Sequence, residues 1–172
     1  MGLDISYYKK LTALDAVFDA DGEPIDPQTR EPLECDYFQP IENQHYDRAD
    51  GLTRGIYTYE ESDGFCAGGY GGYSHWRNQL AELAGYPAAD RDDHHKHSAT
   101  AWAAASGPFW EMITFSDCEG TIGAKTSAKL AKDFADHQAK ADAHEDERFR
   151  GLYEKWRKAY ETAAEDGAVS FH

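Results

Sequence analysis

The hydrophobic pattern divides the chain into a strand-like first third and a helical remainder. Residues 3–8, "LDISYY", alternate apolar and polar positions and predict a strand. Residues 19–50 carry no period. Pro24, Pro27, Pro32 and Pro40 punctuate them, which predicts a loop. A loop of that length is expected to be functional or partly disordered. "IYTYE", 56–60, reads as a second strand, "SDG" after it as a turn, and "FCAGGY" as a return strand closing a hairpin.

At Ser74 the period lengthens. Trp76, Leu80, Leu83 and Ala84 share one helical face, with Ser74 placed to cap the start and Gly85 the end. Residues 86–97 are polar and irregular, and the alanines of 101–105 predict a short helical turn around Trp102. Pro108 suits the first position of a short helix, "PFWEMITF", and "SDCEGTIG", 116–123, reads as a loop. A helix over about 124–143 would bury Leu130, Ala131, Phe134 and Ala135. Another, over about 145–166, would bury Phe149, Leu152, Tyr153, Trp156 and Tyr160 until Gly167 closes it. "AVSFH" adds a short last strand. Strands followed by helices argue an α+β fold, a small antiparallel sheet packed by about four helices. The expected organisation is a single domain, 1–172, with an acidic, loop-rich insertion at about 19–50.

Charge changes the picture next. The net charge is −15, and between Asp15 and Asp63 the only bases are Arg30, Arg48 and Arg54. Direct binding to nucleic acid, which needs basic groups to displace counterions, is not expected, and neither is binding to an anionic membrane. The 3 cysteines, Cys35, Cys66 and Cys118, lack metal-ligand or disulfide spacing. Reduced thiols point to the cytoplasm. A secretory leader is not expected from the first residues, and no apolar run has the length of a membrane span.

Three stretches could carry chemistry. In "GFCAGGYGGYSHWRNQLAELAG" the glycines expose backbone N–H groups near a helix N-terminus. Tyr70, Tyr73 and Trp76 offer faces for stacking, and Arg77 adds donors. The competing reading is a bulged turn with Trp76 in the core. In "SDCEGTIG", Ser116, Asp117 and Glu119 could accept hydrogen bonds or hold a hard cation; the competing reading is helix capping. "HHKH", His94, His95 and His97, reads as a solvated loop among aspartates, with adventitious metal affinity only. His137 lies four residues after Asp133 on one helix face, with His144 two turns further on, and reads as part of a surface pair. His172 reaches a site if its strand is packed. GxxxxGK[ST] and GxGxxG are both absent, so no cofactor is expected, and no metal site is assigned.

"MGLDI", "GFCAGGYGGYSHWRNQLA", "GPFWEMITFSDCEGTIG", "SAKLAKDF" and "GAVSFH" together resemble a family of small hypothetical proteins from phages and bacterial genomes. The family's recurring positions match Tyr70, Gly72, Tyr73, Trp76 and Arg77, then Ser116, Asp117, Glu119 and Gly120, then Phe171 and His172. The chain departs from it at Cys66, where arginine is frequent, and at Gly69 and Gly71, where serine occurs. The resemblance implies a phage setting, in which proteins of this size often counter host defences.

Three functions follow. The first is a small cytoplasmic binding protein holding a small polar or nucleotide-like ligand at Tyr70, Tyr73, Trp76, Arg77, Ser116, Asp117, Glu119 and His172. The second is an acidic inhibitor of a basic, nucleic-acid-binding host protein. The third is a metal-assisted hydrolase using Asp117, Glu119 and a histidine. The sequence leaves turnover open. Part of the stripe Phe149, Tyr153, Trp156 and Tyr160 could instead serve as a face for a homo-oligomer.

Overall fold

The computed structural model describes residues 2–172. In chain order the strands and helices are β1 (Leu3–Lys9), β2 (Thr12–Leu14), β3 (Val17–Phe18), β4 (Pro24–Ile25), β5 (Ile56–Thr58), β6 (Glu61–Gly68), α1 (Tyr70–Leu83), α2 (Lys96–Ala104), α3 (Trp110–Ile113), β7 (Gly120–Gly123), α4 (Ala124–Asp142), α5 (Glu147–Ala163) and β8 (Ala168–Phe171). A 3-10 turn, Tyr46–Ala49, precedes β5. The α+β class stands.

The central sheet has the order β6-β1-β8-β7 and is antiparallel throughout. Alternation along β1 sorts its faces: Leu3, Ile5 and Tyr7 are buried inward, while Asp4, Ser6 and Tyr8 take the other side. The last strand, β8, is fully buried between β1 and β7. Its entry is tight: a Cβ on Gly167 would lie 1.9 Å from the Tyr8 carbonyl oxygen, so only glycine fits there.

Helices α1 and α5 cover the inner face through stacked rings. Trp156 of α5 lies 5.7 Å from both Tyr73 and Tyr160, and 5.4 Å from Phe171 of β8. Trp76 lies 5.8 Å from Phe149 and donates its indole N–H to that residue's carbonyl. Each such pair contributes about 0.5–1.5 kcal/mol beyond the area it buries. The stripe Phe149, Tyr153, Trp156 and Tyr160 is almost wholly shielded within the monomer, so it is core and offers no oligomer face. Among the described residues, no helix is long and apolar enough to cross a membrane.

Several local expectations are corrected. The 56–70 hairpin does not form. β5 pairs with β2, and β6 runs straight through "SDG" to pair with β1 along its length. The reason lies in Asp63, which accepts from the Tyr7 hydroxyl and from Lys158 of α5, each at 2.9 Å. Helix α1 starts at Tyr70, one turn before Ser74, and takes Gly71 and Gly72 into its first turn. Packing of Tyr73 offsets their poor helix propensity. The helix around Trp102 extends back to Lys96, and α3 starts at Trp110, after a left-handed Phe109. Residues 120–123 are the edge strand β7, whereas only 116–119 form a loop. The acidic segment is ordered in part by the β3–β4 pair, by buried Phe38 and by buried Arg48, which donates to Thr114 Oγ1 at 2.9 Å.

Candidate functional site

Antiparallel pairing gathers four strand ends at one end of the sheet: the starts of β1 and β7 and the finishes of β6 and β8. Asp4 and His172 face each other there. The Asp4 N–H donates to the His172 carbonyl at 2.9 Å and the His172 N–H donates back at 3.0 Å. Cys66 is in register with Asp4 on the other side. Gly120 is in register with Phe171, so Glu119 enters β7 beside His172. The His172 Nε2 lies 2.9 Å from Ser6 Oγ, on the outer face of β1.

Helix α1 leaves the same end. Gly68, at φ +99°, turns the chain out of β6, and Gly69 follows in extended conformation as a cap without a side chain. Among the described residues, the first N–H groups of α1 therefore have no side-chain partner. A cleft of about 140 Å³ opens beside them, lined by Gly69, Gly72, His75, Gln79, Asp146 and Arg148 and, for most of its surface, by apolar groups of Ala67, Trp76, Phe149 and Leu152. Asp146 is occupied in capping α5, where it accepts from the Arg148 N–H at 2.8 Å. Tyr70 is 38% exposed at the start of α1.

Arg77 holds the neighbouring loop. Its Nη1 donates to the carbonyls of Phe115 at 2.9 Å and Ile113 at 3.3 Å, its guanidinium lies 4.6 Å from the Tyr73 ring centroid, and its Nη2 stands 3.8 Å from Asp117. The expectation of a free guanidinium is corrected: most of its donors are turned inward, where they hold the backbone carbonyls that lead into the loop, and Asp117 stands beside it beyond hydrogen-bond distance. Ser116 Oγ accepts from the N–H groups of Cys118 at 3.2 Å and Glu119 at 3.1 Å, so it folds the loop. From the acidic segment, Asn43 fixes it by donating to the Glu119 carbonyl at 2.8 Å. Asp117 and Glu119 cap no helix, because β7 intervenes before α4.

Of the residues expected from sequence, Tyr70, Ser116, Asp117, Glu119 and His172 lie at this end of the molecule and Arg77 holds the loop from α1, with the His172 ring on the outer face of the sheet. Tyr73 and Trp76 do not offer stacking faces. Both are buried in the aromatic core, and burial drives the Tyr73 phenol well above its ordinary pKa. Sequence reasoning missed Asp4, Ser6 and Asn43. The polar phase of β1 marks Asp4 and Ser6 as outward-facing, but only the register brings them to His172. Among the described residues, no three His, Cys, Asp or Glu side chains are grouped to hold a metal ion.

No family model, no curated protein and no solved structure matches the chain.

Proposed function

We propose that the chain is a small-molecule-binding protein whose ligand, small, polar and nucleotide-like, lies at this end of the sheet. The observation that carries the reading is the α1 N-terminus, whose N–H groups have no side-chain cap among the described residues, at the end of the sheet where exposed Tyr70, Glu119 and His172 and half-buried Asp117 also lie. The helix end suits an anionic group, and the carboxylates and imidazole suit donors on the rest of the ligand. The setting that fits is the cytoplasm of a phage-infected cell, where sequestering a host signal counters defence.

A thermal-shift screen against nucleotides and cyclic dinucleotides tests this. A ligand that binds only the folded protein raises the melting temperature. The rise should be lost in Asp117→Asn and in His172→Ala, both at exposed or half-buried positions. If the wild-type protein shifts with no member of the panel, the reading fails.

One observation favours a second reading, an acidic inhibitor of a basic protein. Asp21, Glu23, Glu31, Glu34, Asp36, Glu42, Asp47, Glu60 and Glu61 are all exposed. That reading expects partner capture to weaken steeply with salt and to vanish when these acids are neutralised, changes that leave nucleotide binding in place.

A further inference from the structure

A pair of imidazoles joins α1 to the segment before α2, and one of them, His75, also lines the cleft described above. His75, in the second turn of α1, and His94, in the segment before α2, place their Nδ1 atoms 3.0 Å apart, with ring centroids separated by 4.9 Å. Two imidazole nitrogens at that distance share one proton between them, and a metal ion set to one side of the line joining them can replace it. With metal–nitrogen bonds of about 2.0–2.1 Å, the separation subtends about 95° at the metal. A tetrahedral ion needs nitrogens about 3.3–3.4 Å apart, so the geometry matches the cis positions of a tetragonal ion.

We propose that His75 and His94 form a bidentate site for a divalent late-transition ion, Cu2+ or Ni2+, which staples the segment before α2 to α1. Water fills the remaining positions, because the described residues supply two ligands here and no third.

The site is held in place before any ion arrives. Asp92 Oδ1 accepts from the His94 N–H at 3.0 Å and pairs with His95 Nδ1 at 2.8 Å. With Nδ1–H of His95 donating to Asp92, its Nε2 is left to accept from the Ser74 hydroxyl of α1, 3.1 Å away. Asn78 of α1 clamps the same segment from both ends of its amide: Nδ2 donates to the Asp93 carbonyl at 3.0 Å, and Oδ1 accepts from the N–H groups of His97 at 2.8 Å and Ser98 at 3.1 Å. Little rearrangement is therefore needed to bind, which favours affinity. Asp90, Asp92 and Asp93 beside it are negative and attract a cation. His94 is exposed and His75 half-buried, so the ion can reach both.

The test uses tag-free protein at neutral pH with Cu2+ or Ni2+ added alone. At about a hundredfold excess over the dissociation constant, the melting temperature should rise by about 5–10 °C. The rise should disappear in His75→Ala and in His94→Ala and persist in His97→Ala, whose ring is engaged with the Tyr86 carbonyl. Alanine is a better helix former than histidine, so His75→Ala keeps α1 intact. On the wild-type protein, the electron paramagnetic resonance spectrum of bound Cu2+ should show coupling to two imidazole nitrogens, a readout independent of any variant. No shift at about 1 mM ion, or an equal shift in both alanine variants (an adventitious ion only), would overturn the proposal. Tighter binding of Zn2+ than of Cu2+ would overturn the assignment of the ion.

Discussion

Asp63 shows how one contact sets the behaviour of a residue. Lys158 and the Gly64 N–H, with the Tyr7 hydroxyl, stabilise its carboxylate and pull its pKa down to about 2. The same contact raises Lys158. Unfolded, the aspartate titrates near 3.9, so the charged form is favoured by folding. Its contribution is complete above about pH 4 and is lost as pH falls through about 2. Asp63→Asn should therefore flatten the acid limb of melting temperature against pH between about 4 and 2, relative to the wild-type protein; an unchanged limb would show that the contact is weak in solution. Arg77 makes the opposite point. It would serve poorly as a probe of ligand binding, because Arg77→Ala leaves the carbonyls of Ile113 and Phe115 without their donor. Its expected cost is about 2–3 kcal/mol of stability, read by urea denaturation, with or without ligand.

At the scale of elements, two glycines in α1 and one before β8 should respond differently to alanine. A Cβ on Gly72 meets nothing within 4 Å. Gly72→Ala should raise stability by about 0.5–1 kcal/mol through helix propensity. Gly71→Ala, equally open, should do the same. If a ligand sits on the α1 N-terminus, those same changes weaken its binding while they stabilise the fold, so the two readouts move in opposite directions. Gly167→Ala has no such latitude. Its Cβ would press on the Tyr8 backbone, and a loss of about 1–3 kcal/mol is expected in the same denaturation experiment. These elements also show what was legible in advance. β1, α4 and α5 were readable because their apolar positions repeat at one period over a full element. The hairpin at 56–70 was misread because "SDG" has turn chemistry in isolation. Its actual place in a strand depends on Tyr7 and Lys158, 56 and 95 residues away in sequence.

For the whole molecule, the net charge of −15 is the dominant electrostatic fact. Exposed acids on the segment before β6 repel one another across the surface. Screening that repulsion should raise the melting temperature as NaCl is increased from about 10 mM to about 300 mM, since the Debye length falls below about 10 Å over that range. A flat response would mean that local pairs such as Lys158–Asp63 and Lys9–Glu165 already offset it. The acidic segment is also more than a charged appendage. Through Asn43 and Arg48 it secures the loop before β7 and the carbonyl end of α3, so the charge and the candidate site share a support.

By itself, the sequence determined the class of fold, the acidic surface, the helices with a sustained apolar stripe, and the chemistry of residues that lie toward the sheet end: Tyr70, Ser116, Asp117, Glu119 and His172, with Arg77 behind their loop. Those are local properties, because period, charge and residue chemistry are written within a few turns of chain. Only the tertiary structure decided which strands pair, that Tyr73 and Trp76 belong to the core, that Arg77 faces inward, and that Asp4 lies opposite His172. It also decided that His75 meets His94. Each of these depends on contacts between segments far apart in sequence, whose energies come from burial and register and leave no mark in any short stretch of residues.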